Sequence, residues 1–348
     1  MARRSVSPRL VRRLAVASLV SQIGIVVTGG AVRLTGSGLG CPTFPRCTED
    51  SYVNTPEYGV HGFIEFGNRL LTFVLAAIAL ATLAAVLAQR PRRRDLVEPA
   101  VVLFLGIPVQ ALIGGITVLT ELNPWVVMLH FVASSVLVGV ATVLVRRSRE
   151  PAGPVRPIGG GVAGQWLRRL AAVVVGTTYL VVYLGTVVTG SGPHAGDDMA
   201  ARTGLDPESV SQLHVDVVFL LLGLTIGAWF AARAAGSPGR VARAAAVLVA
   251  VELAQGLIGF VQYVTGLPIV LVGLHMLGSM LLVVAAVSLL LVTRERVEAQ
   301  AVGAGPGADA GGVASAEDED VDADADEDDR QVGDRGVEEA HRTHVSLG

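Results

Sequence analysis

Lysine is absent from this sequence: all 27 basic residues are arginine. Charge is scarce as well, with 16% Asp, Glu, Lys and Arg against about 25% in a typical soluble domain. That shortage argues against an ordinary cytosolic domain. It also argues against a nucleic-acid binder, which needs an extended basic surface. Global disorder is excluded in turn, because 51% of the residues are apolar and the mean hydropathy is +0.57.

The formal net charge of −3 hides a division. Residues 297–348 hold 15 acids and 3 Arg, a net of −12, whereas residues 1–296 hold 24 Arg and 15 acids, a net of +9. A basic apolar body is thus joined to an acidic tail. From about residue 299 the tail is Ala, Gly, Asp and Glu and is expected to be disordered, since it offers little to offset its ordering entropy. His341 and His344 fall in it and are read as incidental.

A bilayer-spanning helix needs about 20 mostly apolar residues. Eight such runs are present, at about 14–33, 62–88, 98–119, 125–145, 170–190, 210–232, 241–264 and 268–292. The first has the basic lead of a signal peptide, but Val26–Val32 continues without an Ala-x-Ala-like cleavage site, so it reads as a retained helix. The arginines give the orientation. They cluster at the N-terminus (Arg3, Arg4, Arg9, Arg12, Arg13) and in the even-numbered connections (Arg90 to Arg94, Arg146 to Arg169, Arg233 to Arg243). They recur after the last span at Arg294 and Arg296. The odd-numbered connections hold only Arg33, Arg46 and Arg202. Both termini are therefore expected in the cytoplasm, in a multi-pass protein of the cell membrane.

An internal repeat is visible at a shift of 145 residues. Gln110-Ala-Leu-Ile-Gly114 meets Gln255-Gly-Leu-Ile-Gly259, and Thr120, Leu122, Leu129, His130 and Ser134 meet Thr265, Leu267, Leu274, His275 and Ser279. Val26-Val27-Thr28-Gly29 likewise resembles Val187-Val188-Thr189-Gly190. An even number of spans per unit gives both copies the same orientation, hence an axis along the membrane normal. The expected fold is an all-α integral membrane protein of eight transmembrane helices in two pseudo-symmetric four-helix bundles. The expected division is a cytoplasmic N-terminus at 1–13, bundles at 14–145 and 170–292, a cytoplasmic linker at 146–169 and the tail at 293–348.

Four histidines, His61, His130, His214 and His275, lie toward the outer end of spans 2, 4, 6 and 8, and a fifth, His194, lies in an outer loop. A single intramembrane His is often a satisfied interhelical hydrogen bond, and ionisable groups there generally face the bundle interior. Two helices each presenting one His is, however, the arrangement that ligates haem iron axially. Two repeats then give two haem-sized sites near the outer face. Zinc fits less well, because a closed site wants four ligands close together. A proton relay leaves the pairing unexplained.

Glu65 lies within the second span with Arg69 at i+4, so a local ion pair accounts for both. The functional alternative is a carboxylate beside the reacting part of a substrate, and the two readings are compatible. Glu252 and Asp216 are the other acids within apolar spans. Asp216 is two residues from His214 and points elsewhere, and Gln110 and Gln255 recur in the repeat as candidate interhelical donors. The two cysteines, Cys41 and Cys47, fall in the first outer loop, an oxidising location that favours a disulfide. It is either a staple for a long loop or a redox pair exchanging electrons or thiols with a partner.

Taken in order, these features resemble the haem A synthase family, in its cysteine-containing bacterial form, over residues 14–292. The resemblance rests on Thr28-Gly29-Gly30-Ala31-Val32-Arg33-Leu34-Thr35-Gly36-Ser37-Gly38 with Cys41 and Cys47, and on Ile64-Glu65 with Arg69-Leu70. It rests equally on Gly114-Gly115-Ile116-Thr117-Val118-Leu119 leading to His130, on Thr189-Gly190-Ser191-Gly192-Pro193-His194-Ala195-Gly196-Asp197, and on His214 with His275. It implies an oxidoreductase that converts a ring methyl of haem O to the formyl group of haem A for cytochrome oxidase. It further implies a haem b cofactor held axially by His214 and His275, substrate haem O bound with His130, and Glu65 as the catalytic carboxylate. Haem O and membrane lipid are the expected partners, with an unidentified electron partner and haem O synthase as further candidates. A lone loop His is usually just solvated; the place of His194 in the family-like Gly-Pro-His-Ala-Gly run adds a functional reading near haem propionates.

One departure stands out: the family pattern has His before the arginine, and this chain has Asn68 before Arg69. Alignment from the middle of the helices pairs Asn68 with His214. Alignment from the helix starts, Thr55-Pro56-Glu57 and Asp206-Pro207-Glu208, brings His61 closer to His214. His61 is favoured as the second ligand, because four outer-end histidines then form two pairs; ligation by His130 alone is the other reading. Two competing functions use the same histidines or the same repeats: a di-haem b-type electron-transfer protein, and a transporter, which would need broken helices and polar residues at the midplane.

Overall fold

The computed structural model describes residues 6–158 and 161–297. Arg3, Arg4 and the acidic tail, with the disorder expected of it and with His341 and His344, lie outside the described residues. Among these, eight helices are long and apolar enough to cross a membrane. They are α1 (Pro8–Leu34), α2 (Gly59–Ala88), α3 (Arg94–Leu119), α4 (Pro124–Arg149), α5 (Gly161–Ser191), α6 (Pro207–Ala234), α7 (Gly239–Val264) and α8 (Ile269–Val292). Seven expected runs lie inside them, and the eighth helix begins one residue late, after its N-cap Pro268.

Local chemistry fixes the starts. Ser7, Asn123 and Asp206 each accept a backbone N–H of the first turn, and each precedes a proline at the first helical position. Thr55-Pro56 differs. Thr55 makes no side-chain cap and opens only a short 3-10 turn, Pro56–Tyr58, before α2 starts at Gly59. The starts of α2 and α6 are therefore not equivalent, and alignment from that end loses its anchor.

Consecutive helices pack within each half: α1 to α4 in order, closed by α1 on α4, and α5 to α8 in order, closed by α5 on α8. Contacts of α8 with α1 and α4, and of α4 with α5, join the halves. Each half has its own apolar core. Val11, Ala15, Val86, Leu96, Leu103 and Leu144 fill one, and Leu167, Ala171, Val174, Val241, Leu248 and Leu289 fill the other. A third cluster, with Val26, Val138, Val182, Met280 and Val283, lies on the shared face. The two bundle cores gather toward the arginine-rich ends. Large side chains such as Phe73, Phe219 and Leu257 face outward, as suits a lipid environment.

The duplication extends to the turns. Glu121 and Leu122 after α3, and Gly266 and Leu267 after α7, share left-handed backbone. His130 and His275 then follow 11 residues after the last residue of α3 and α7 respectively. An antiparallel ribbon, β1 (Val155–Pro157) with β2 (Arg294–Arg296), was not evident in the apolar pattern. Arg296 ties it to Glu150 at 3.0 Å and to Asp95 at 3.3 Å, and so to α3 and the end of α4.

Candidate functional site

Three histidines share one local geometry. Each lies half-buried on a helix and faces a glycine of the helix before it. A methyl group at Gly114 of α3 would stand 3.2 Å from Cε1 of His130 on α4. The same construction gives 3.3 Å for Gly185 of α5 with His214 on α6, and 3.4 Å for Gly259 of α7 with His275 on α8. The glycines let each ring lie against the neighbouring backbone. In all three rings Nδ1 is buried with no hydrogen-bond partner.

The fourth helix pair completes the pattern with a different residue. A methyl group at Gly29 of α1 would stand 3.8 Å from Nδ2 of Asn68 on α2. The Thr28 hydroxyl donates to Asn68 Oδ1 at 2.7 Å. Asn68 is 20 residues before the end of α2, as His214 is 20 before the end of α6.

His61 and His194 belong to another environment. His61 is exposed, and its Nδ1 is 2.9 Å from the hydroxyl of the fully buried Ser37 in the α1–α2 loop. It lies seven residues before Asn68, about 10 Å further along the axis. His194 has its Nε2 at 3.0 Å from the Leu267 carbonyl, and its own carbonyl accepts Arg33 Nε–H at 2.7 Å. Gly38 N–H also donates to the Gly196 carbonyl at 2.8 Å. The α1–α2 and α5–α6 loops of the two halves are thus bonded to each other, with His194 within that seam.

The loop between α1 and α2 is clamped onto α2. Cys41 and Cys47 form a disulfide. The Cys41 N–H donates to Glu65 Oε2 at 2.6 Å, while Arg69 pairs with Glu65 Oε1 at 2.6 Å. Arg69 also donates to the carbonyls of Cys41 at 2.9 Å and of Thr43 and Arg46, both at 3.0 Å. Glu65 is buried and has both oxygens engaged, so the local ion pair is present and is one part of a larger clamp. Between the cysteines, Phe44 lays its ring against Gly115, next to the glycine that faces His130. Sequence reasoning missed Phe44 and the glycine partners. The Gly114-Gly115 pair, with Phe260 at the repeat position of Gly115, carried the signal.

Gln110 donates to the His130 carbonyl at 3.1 Å and to Ser134 Oγ at 2.5 Å, which braces the His130 turn. Gln255 instead packs against Gly278 of α8. Glu252 is buried and accepts the Thr225 hydroxyl at 2.7 Å, leaving its second oxygen unpartnered. Asp216 is exposed and bonded to Gln212, away from the histidines.

Chemically, a half-buried imidazole with an idle nitrogen, set against a backbone without a Cβ, is a suitable neutral donor for the iron of a flat macrocycle. The donor chemistry of His130, His214 and His275 fits haem.

The model of the cytochrome oxidase assembly protein family matches residues 12–199. Curated relatives include the haem A synthase of Geobacillus thermodenitrificans, 31% identical over 134 residues, which cover 37% of this chain and 41% of that protein. That of Lysinibacillus sphaericus is 30% identical over 117 residues, covering 33% and 38%. That of Symbiobacterium thermophilum is 28% identical over 201 residues, covering 55% and 62%. The chain spans about two fifths of the length of the first two of these.

Proposed function

Because the chain belongs to the haem A synthase family of cytochrome oxidase assembly proteins, we propose that it is the membrane oxidoreductase that oxidises a ring methyl of haem O to the formyl group of haem A. The observation that carries this reading is the set of glycine-backed imidazoles with idle nitrogens, present in both halves.

In this reading His214 and His275 hold haem b in the second half, and His130 binds substrate haem O in the first. When bound, haem b supplies one-electron transfer. The rest falls to side chains. Gly114, Gly185 and Gly259 leave room for the imidazoles beside the backbone. Gln110 steadies the turn that bears His130. Arg69 holds the disulfide loop over the first half, and Phe44 covers the surface at Gly115. Glu65, one turn outside Asn68 on the same face of α2, is the carboxylate assigned to the reacting edge of the substrate. Its contact with Cys41 N–H fixes one oxygen.

The arginine distribution supports cytoplasmic termini and sites toward the outer face. The disulfide in the first outer loop supports the same orientation, since disulfides persist in oxidising compartments. An electron partner and haem O synthase are the proteins expected to meet it.

The test is extraction of haems from cells that express the full chain with a haem O source, followed by reverse-phase chromatography. Haem A and its hydroxylated precursor are expected. Bound haem with neither product, electron supply being intact, overturns the enzyme and leaves a di-haem electron-transfer protein.

A further inference from the structure

We propose that the two halves differ in axial ligation. The second half closes both faces of its iron with His214 and His275, whereas the first half binds through His130 alone and keeps the opposite face open to a small exogenous ligand. This rests on the haem reading given above, but its argument comes from comparison of the two halves of this chain.

Each half contains two adjacent helix pairs in which a glycine faces a polar side chain. In the second half both side chains are imidazoles, His214 against Gly185 and His275 against Gly259. In the first half His130 against Gly114 is the counterpart of His275, at the same distance from the preceding helix end. The counterpart of His214 is Asn68 against Gly29, at the same distance from its own helix end. An amide oxygen is a weak iron donor, and here Asn68 Oδ1 is already accepting the Thr28 hydroxyl at 2.7 Å. The amide is thereby turned to α1, and its nitrogen has no lone pair to give.

His61 does not restore the symmetry. It lies about 10 Å along α2 from Asn68, is exposed, and is bonded through Nδ1 to Ser37. Counting back from the helix ends, its counterpart in α6 is Pro207, at the very start of that helix. The Gly40 backbone packs directly on the His61 carbonyl, so the residue belongs to the loop anchorage. A face without a protein donor admits a neutral or anionic ligand of two or three atoms. Carbon monoxide on ferrous iron and cyanide on ferric iron are the probes.

The experiment uses the full-length protein purified in detergent, with haem counted by pyridine haemochromogen and by iron. Two haems per chain are expected, one low-spin and one high-spin in the ferric state. Carbon monoxide should shift the Soret band of one haem of the two. His130→Ala should remove the responsive haem, and Asn68→His should turn it low-spin and suppress carbon monoxide binding at least tenfold. His61→Ala should leave the carbon monoxide spectrum unchanged. Two low-spin haems in the unaltered protein, with carbon monoxide binding appearing only in His61→Ala, would overturn one-histidine ligation and leave the enzyme reading standing. A chain that retains no haem under any condition would overturn both. The unaltered protein alone decides the main point, so a variant that fails to fold does not block the test.

Discussion

The Glu65 carboxylate accepts the Cys41 backbone N–H at 2.6 Å, 24 residues away in the sequence, and the same carboxylate is paired with Arg69. A candidate catalytic acid is thus also the anchor of the disulfide loop. Glu65→Gln keeps an acceptor for Cys41 and removes the charge. The loop should stay closed, with Cys41 and Cys47 still slow to react with reductant and alkylating agent, while haem A output falls at least tenfold. If output is unchanged, the carboxylate is only an anchor.

Arg69→Ala separates the other function of the clamp. It withdraws donors from three loop carbonyls and leaves Glu65 buried beside one N–H. Breaking a buried ion pair from one side costs about 3–5 kcal/mol; partial exposure of Arg69 puts this case at the lower end. Fast alkylation of the loop after mild reduction and a lower melting temperature in detergent are expected. A loop as protected as in the unaltered protein would mean that the disulfide and Phe44 suffice.

Much of this was legible in the sequence, and the reasons differ by feature. Apolar runs of 20 or more residues and arginine-rich connections report directly on a physical constraint, the bilayer, so the eight helices could be read, with end errors that reach nine residues at the start of α5. The histidines could be read as a set because ionisable groups are rare in such runs. What could not be read was which backbone each side chain meets. Gly114, Gly185 and Gly259 are three glycines among 41, and only packing distinguishes them. Thr55-Pro56 carries the same start signal as Asp206-Pro207, yet a 3-10 turn forms there, so the two starts are not equivalent, and the sequence alone does not reveal that difference. The β1–β2 ribbon joins segments about 140 residues apart, and three-residue strands leave no period to detect.

The glycine partners make a graded prediction. Gly185→Ala places a methyl 3.3 Å from an imidazole, tighter than ordinary contact, and Gly259→Ala places one at 3.4 Å, at the edge of ordinary contact. Overpacking of that kind costs about 1–3 kcal/mol. Each should lower the content of low-spin haem, read by the absorbance of the purified protein. Gly114→Ala should weaken the other haem by a similar factor. Gly24→Ala is the control, since a methyl there meets nothing within 4 Å, and its haem content should match the unaltered protein. Equal losses at Gly24 and Gly185 would show that helix packing in general, and not the imidazole slot, is affected.

Asp206 gives the pH dependence. It lies outside the membrane-spanning segments, and its carboxylate accepts both the N–H and the hydroxyl of Ser209. Those bonds hold its pKa below the ordinary value. A depressed folded-state pKa contributes stability that is present above the unfolded value, near 3.9, and lost as the pH falls through the folded value. Hydrogen exchange at Ser209 and Val210 should therefore be slow near neutrality, after correction for intrinsic rates, and protection should drop below about pH 4. Asp206→Ala should show the low-pH behaviour at every pH. Protection that persists at low pH would mean that Pro207 alone sets the first turn.

The contact of Phe44 with Gly115 supplies a compensating pair. The ring lies against the glycine with no room for a Cβ between them. Gly115→Ala must therefore displace the ring, and with it the disulfide loop that Glu65 and Arg69 hold. Phe44→Ala removes the obstacle together with the cover. Residues in direct contact couple by about 0.5–3 kcal/mol in a double-mutant cycle. Gly115→Ala should open the loop to alkylation, and the double variant should regain protection relative to Gly115→Ala alone, because Arg69 still binds three loop carbonyls. Additive losses in the cycle would place Phe44 and Gly115 in separate roles and remove Phe44 as the cover over the first half.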